Sequence, residues 1–146
     1  LKNHNSVIFV KISDINFSDR KGYDISNPPS GAEIIKRVVK YWQLKRYLDS
    51  WIATPADSPS LLVGVTGRPG AQMVIAALEI DRDKWGLVEI EKEGRIEIPR
   101  KDDNIDVDHL RGCRIDSSVG LKFGQFKSQI FKILHIIFKN KILEIL

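Results

Sequence analysis

The chain has 146 residues, of which 42% are hydrophobic and 29% charged, a balance typical of a globular domain and not of a disordered segment. Its apolar runs are short and broken by lysine, so we expect no membrane span, and its start lacks the pattern of a secretion signal. A single cysteine, Cys113, excludes an internal disulfide and favours a cytoplasmic protein. The three histidines lie far apart, so we expect no metal and no cofactor.

The net charge of +4 is concentrated at the C-terminal end of the chain. Residues 121–146 contain five lysines and one glutamate, whereas the remaining residues carry as many acidic as basic side chains. A basic segment of this kind can contact nucleic acid or an acidic partner. Lysines that keep an apolar tail soluble would explain the same pattern.

The N-terminal part predicts a strand, a long loop and a helix. The β-branched run Val7–Ile12 is typical of a buried strand, and residues 13–30 are rich in turn formers. Ser30 and Glu33 have the spacing of a capping box, which predicts a helix from about Ala32 to Gln43. Its apolar face comprises Ile34, Ile35, Val38, Val39 and Trp42.

Residues 61–77, "LLVGVTGRPGAQMVIAA", allow two interpretations. Gly64, Gly67 and Gly70 have the spacing of a phosphate-binding loop between a strand and a helix, with Arg68 available for a phosphate. Such a loop normally follows the first strand of its sheet, and too few residues remain here for further βαβ units. We therefore favour a hairpin of two antiparallel strands whose glycines form the turn, and leave a nucleotide-binding enzyme as the less favoured hypothesis.

The C-terminal half predicts further short strands. Leu87–Ile90 and Arg95–Ile98 alternate around a turn and predict a hairpin, and "CRID" after Gly112 is a short strand candidate. Residues 126–138 fit both a helical stripe and a strand. We favour a strand to about Leu134, followed by a helix or a loose tail.

This order of elements resembles small bacterial PUA-like domains, relatives of the EVE, YTH and SRA domains, found alone or fused to restriction or nuclease proteins. The segments that carry the resemblance are "VIFVKI", "GAEIIKRVVKYWQL", "LLVGVTGRPGAQMVIAALEIDRDKW", "HLRGCRI" and "KFGQFKSQIFKI". The family pattern has Asn-Pro where this chain has Lys127 and Ser128, and it has no counterpart of the residues after Leu134.

The resemblance implies an α+β, mostly β fold: a PUA-like, partly open β-barrel with one or two helices packed on it. Residues 1–134 would form this domain and residues 135–146 a basic, apolar C-terminal tail. The resemblance also implies a non-catalytic module that binds nucleic acid or a nucleotide-sized ligand, with a base held in an aromatic pocket, in a bacterial defence or modification context. The alternative is a protein-interaction module whose tail packs on a second copy or on an attached domain.

Three tryptophans and two groups of basic residues are the candidate binding residues. Trp42, Trp51 and Trp85 could stack on a base, although core packing explains each of them as well, and we expect Trp51 to be the most exposed. Basic side chains near the helix and near Cys113 could contact phosphates, or could simply form solvated faces. They are Arg37, Lys40, Lys45, Arg46, Arg111 and Arg114. We assign no catalytic residue. As a nucleophile Cys113 would need a neighbouring base, and His109 is the only residue that we can suggest for that role.

Overall fold

The computed structural model describes residues 6–13, 23–24, 26–68, 70–116, 121, 128–132, 137–139 and 141–142. Within them the fold is α+β and mostly β, which confirms the expected class, whereas the PUA-like assignment stays a prediction. The strands are β1 Ser6–Lys11, β2 Trp42–Gln43, β3 Leu61–Thr66, β4 Met73–Glu79, β5 Arg95–Ile96, β6 Arg114–Ile115, β7 Ser128–Lys132, β8 Ile137–Lys139 and β9 Lys141–Ile142. The α-helices are α1 Gly31–Val39, α2 Lys45–Ala53 and α3 Ile105–Asp108, and 3-10 helices span Pro55–Asp57, Arg82–Leu87 and Lys92–Gly94.

The main sheet has seven strands in the order β7-β1-β3-β4-β6-β8-β9. Strands β1 and β3 pair in parallel, and the other neighbours pair antiparallel. Side chains on both faces of β1 are buried, since Ile8 and Val10 belong to one apolar cluster and Val7 and Phe9 to another. The sheet is therefore covered on both sides, with α1 and α2 contributing to the first cluster.

The sheet curls because the connection between β7 and β8 is short. Four residues separate Lys132, the last residue of β7, from Ile137, the first residue of β8. Even a fully extended chain of this length spans at most about 18 Å between the Cα atoms of Lys132 and Ile137. Strands β1, β3, β4 and β6 lie between β7 and β8 in the sheet, and five spacings of about 4.8 Å would amount to about 24 Å in a flat sheet. Curling brings the two strands within reach of the connection and gives the sheet its half-barrel form.

The last described residues are strands and not the helix or loose tail that we expected. Strand β8 pairs with β6, and β9 pairs with β8, so both belong to the main sheet. Strand β7 pairs with β1, which agrees with the strand expected up to about Leu134. The described residues of the segment that fitted both periodicities are thus strands, whose backbone groups pair with neighbouring strands.

Helix α1 begins where the capping box predicted and ends earlier. The amide of Glu33 donates to Oγ of Ser30 over 3.3 Å. The helix ends at Val39 instead of Gln43, because residues 42–43 form β2, in which Trp42 pairs with Ile96 of β5. The indole Nε1 of Trp42 donates to the carbonyl oxygen of Val38 over 2.7 Å, so the side chain still packs under the helix.

The glycine-rich segment is a turn between antiparallel strands. Strands β3 and β4 pair directly, and the residues after Gly70 enter β4 instead of a helix. Gly67 and Gly70 have φ angles of +102° and +85°, which favour glycine. The favoured hairpin is confirmed, and the dinucleotide-loop interpretation is wrong because there is no helix N-terminus to face a phosphate.

The second predicted hairpin is wrong in its pairing. Leu87 is the last residue of a 3-10 helix and not part of a strand. Among the described residues, the only backbone pairing between the two predicted strands and their turn is an isolated bridge between Glu91 and Arg95. Strand β5 pairs with β2 instead. Alternating side chains within so short a segment do not determine which strand becomes the partner.

Gly64 lies in the middle of β3 and allows α1 to approach the sheet. A Cβ atom placed on Gly64 would lie 2.5 Å from Cγ2 of Val38, closer than packed carbon atoms can come. Val38 is fully buried and its branched side chain has little freedom to rotate away. The missing side chain therefore determines how closely the helix packs.

We expect Gly64→Ala to lower the free energy of unfolding by about 1–3 kcal/mol, because the added methyl group overpacks this contact. Urea denaturation followed by circular dichroism measures the change. Gly86→Ala is the matched control, since no atom lies within 4 Å of the new Cβ position. Adding Val38→Ala to Gly64→Ala should cost less than the sum of the two single changes. Equal effects of Gly64→Ala and Gly86→Ala would contradict the packing argument.

Candidate functional site

The three tryptophans are core residues. Trp42, Trp51 and Trp85 are 3%, 7% and 1% exposed, respectively, and belong to the same apolar cluster. Trp51 is the most exposed of the three, as expected, but it is still buried, because its ring packs against Tyr47, at a centroid distance of 5.3 Å, and Trp85, at 4.6 Å. None of the three lines either of the two cavities described below.

Trp85 has a positioning role that the sequence did not reveal. Its indole Nε1 donates to Oγ of Ser58 over 2.9 Å, so the buried donor is satisfied. The residue lies within the 3-10 helix Arg82–Leu87, whose other side chains are largely exposed. Burial of this one ring therefore fixes the segment on the body of the protein.

The basic candidates do not form one surface. Lys45 and Arg46 are exposed at the start of α2, where the guanidinium of Arg46 lies 4.8 Å from the ring centre of Tyr47. Arg111 pairs with Asp108 over 3.1 Å and lines a small cavity of about 120 Å³ beside α1 and β4. Arg114 is exposed in β6. Arg37, in α1, is half-buried and does not line either cavity.

A larger cavity lies beside α1, and we call it the groove. Its volume is about 760 Å³. Helix α1 forms one wall, the segment that follows Trp85 forms another, and residues 97–102 complete the lining. The lining residues are Ala32, Ile35, Lys36, Val39, Lys40, Tyr41, Lys84, Leu87, Val88, Glu89, Glu91, Glu97, Ile98, Pro99, Arg100 and Asp102.

Backbone hydrogen bonds hold residues 97–102 between the helix and the sheet. The amide of Ile98 donates to the carbonyl oxygen of Val39 over 2.9 Å, which joins the segment to the end of α1. The amide of Lys101 donates to the carbonyl oxygen of Glu79 over 2.9 Å, which joins it to the end of β4. The groove is thus built on fixed backbone, a requirement for a binding site of defined shape.

The charges of the groove balance, but they are not all paired. Lys40 contacts Glu97 at 3.1 Å, and Lys84 contacts Asp81 at 3.4 Å. In the described part of the chain, no ion pair joins Lys36 or Arg100 to a carboxylate. These two cations are therefore available to an anionic ligand, and the guanidinium of Arg100 also donates to the backbone oxygen of Lys101 over 3.4 Å. The same lining includes the partly exposed Ile35 and the buried Val39 and Ile98.

Lys40 is held in its charged form by the groove itself. A hydrogen bond to Glu97 and the negative charge of that carboxylate raise the pKa of Lys40 above its ordinary value, and Tyr41 adds a smaller effect in the same direction. The side chains of Lys40 and Glu97 remain 32% and 51% exposed, so water screens the pair. The pair links the end of α1 to the opposite lining of the groove.

Exposed apolar side chains lie at the edge of the groove. Leu87, which lines it, is 77% exposed, and Ile90 in the same segment is 51% exposed. Exposed apolar side chains three residues apart in one segment are candidates for a contact surface.

Sequence reasoning found Lys40 and missed most of the groove. The spacing of Lys36 and Lys40 on the polar face of α1 was visible in the sequence. Lys84 and Arg100 could not be found in this way, because their positions depend on how residues 81–102 return to the helix and the sheet.

Cys113 is buried, and its Sγ lies 3.8 Å from the backbone oxygen of His109. This contact is to the backbone of His109 and gives no support to a pairing of the thiol with the imidazole.

Comparison of the chain with protein-family models, with curated proteins and with solved structures gives no match. Within the described residues, no group of three or more His, Cys, Asp or Glu side chains could hold a metal ion. None of the helices in the same residues has the length and apolar character that crossing a bilayer requires. The site must therefore be interpreted from its own geometry.

We expect Trp85→Ala to lower the free energy of unfolding by about 3–5 kcal/mol, because it removes a large buried ring from the core. Chemical denaturation followed by circular dichroism measures the loss. Ile52→Ala, at a position 44% exposed in α2, is the control and should change stability by about 0.5 kcal/mol or less. A small loss for Trp85→Ala would mean that the ring is not part of the core.

We expect Glu97→Gln to lower the pKa of Lys40 toward its ordinary value, because both the hydrogen bond to the carboxylate and its charge are lost. In the native protein the ion pair between Lys40 and Glu97 contributes fully to stability at pH values below the pKa of a lysine in the unfolded chain, about 10.4. The contribution is lost as the pH rises through the higher pKa that Lys40 has in the folded protein. NMR titration of the lysine Cε signals follows this change. Glu91→Gln, which alters another carboxylate of the groove, should leave Lys40 unchanged, and equal pKa values in the native and Glu97→Gln proteins would contradict the assignment.

Proposed function

We propose that this protein is a non-catalytic binding module for nucleic acid or a nucleotide-sized ligand, and that the groove is its binding site. One observation carries the proposal: a cavity of about 760 Å³ combines unpaired cations with apolar and aromatic side chains. Ligand sites are concave, and volumes of roughly 300–1,000 Å³ are usual for molecules of this size. The bacterial defence or modification context implied by the PUA-like resemblance remains a prediction.

A nucleotide has a complement for each kind of side chain in the groove. Lys36 and Arg100 can donate to phosphate oxygens, as lysine and arginine commonly do. The ring of Tyr41 and the side chain of Ile35, both partly exposed, can contact the face of a base. Carboxylates in the same lining can accept hydrogen bonds from the amino groups of a base.

We expect the protein to bind fluorescein-labelled single strands of DNA or RNA, and to bind them at least tenfold more weakly when the groove is filled by Ala32→Trp. Ala32 is exposed at the start of α1 and lines the groove, so a larger side chain there blocks the cavity without entering the core. Fluorescence anisotropy measures both affinities.

Ala53→Trp is the matched control, since Ala53 is also exposed on a helix and does not line the groove. Circular dichroism establishes that both variants are folded. Failure of the native protein to bind any oligonucleotide or nucleotide would refute the proposed function. Equal affinities of Ala32→Trp and Ala53→Trp would refute the groove as its site.

The exposed side chains of Leu87 and Ile90 favour a second candidate, a module that associates with a second copy of itself. Sedimentation equilibrium of the native protein and of a Leu87→Ser, Ile90→Ser variant tests this candidate. An apolar contact would give a dimer that persists in high salt and is lost in the variant. A monomer at all concentrations would remove it.

A further inference from the structure

We infer that the groove binds a free nucleotide or a short single-stranded segment through two phosphate-binding cations, Lys36 and Arg100, and does not bind a duplex. The inference rests on the proposed function and specifies its ligand. It follows from which basic side chains of the groove already form an ion pair with a carboxylate and which do not.

Only two of the four cations of the groove lack a carboxylate partner among the described residues. Lys40 is bound to Glu97 at 3.1 Å and Lys84 to Asp81 at 3.4 Å, so a phosphate would have to displace a carboxylate from either. Lys36 and Arg100 have no such competitor. The number of phosphate contacts that the groove offers is therefore two.

The acidic lining opposes a longer polyanion. Glu89, Glu91 and Asp102 line the same groove and are in no ion pair in the described chain. Duplex DNA carries one negative charge per about 1.7 Å of its axis, so a duplex in the groove would bring phosphates against these carboxylates. A ligand with only one or two phosphates, bound at Lys36 and Arg100, avoids that repulsion.

The apolar part of the groove also favours an unpaired base. A base in a duplex has both faces covered by its neighbours, whereas a base in a single strand can turn out and contact a protein surface. The partly exposed side chains of Tyr41 and Ile35 offer such a surface in the same groove as the two cations. Charge and shape thus favour the same class of ligand.

The salt dependence of binding counts the phosphate contacts. The experiment uses 10-nucleotide single strands of mixed-sequence DNA and RNA and the corresponding DNA duplex, all labelled with fluorescein, at 50 and 200 mM NaCl. Each contact to a single strand contributes about −0.7 to the slope of log K against log salt, so two contacts predict a fall in affinity of about sevenfold. Lys36→Gln should reduce this fall to about 2.6-fold, since one contact remains.

Lys92→Gln is the matched control, because Lys92 is exposed at the start of a 3-10 helix and does not line the groove. The affinity of Lys92→Gln should still fall about sevenfold between 50 and 200 mM NaCl. A fall of about 300-fold, which corresponds to six contacts, would overturn the inference while the proposed function stands. Tighter binding of the duplex, or an unchanged salt dependence in Lys36→Gln, would also overturn it. Absence of binding to every probe and to a fluorescein-labelled mononucleotide would instead refute the proposed function.

Discussion

The contact between Val38 and the bare backbone of Gly64 is the constraint on which the rest of the described structure depends. It sets the separation of α1 from the sheet, and the same helix presents Ile35, Lys36 and Val39 to the groove. The buried face of the helix and its ligand-facing side are therefore positioned by one packing distance. A shift of the helix would alter the core and the groove together, because well-packed interiors transmit displacement instead of absorbing it.

The opposite wall of the groove depends on a single buried ring. Trp85 is the fully buried anchor of a largely exposed segment, in which Val88 also packs against the core, and its hydrogen bond to Ser58 satisfies the only polar atom of the side chain. The groove thus lies between a helix anchored by shape and a segment anchored by an aromatic side chain. Such an arrangement allows the lining to be polar and charged, because its stability comes from residues that a ligand does not contact.

The sequence predicts the elements better than it predicts their partners. The capping box at Ser30, the strand around Phe9 and the glycine turn depend on neighbouring residues, and all three are confirmed. The partner of β5 and the state of the C-terminal residues depend on long-range pairing, and there the expectations differ from the structure. The tryptophans were ambiguous because aromatic residues are used both in cores and in binding sites, and only burial distinguishes these uses.

The position of β1 has a consequence for biosynthesis. Strand β1 precedes β7 by more than a hundred residues in the chain, yet the two strands are neighbours in the sheet. Until β7 leaves the ribosome, β1 has one open edge lined by residues that become fully buried. An open apolar edge of this kind can pair with another nascent chain, and pairing over so long a separation is slow. The β1–β7 pair should therefore be one of the last contacts to form during folding, and until it forms the open edge of β1 favours aggregation.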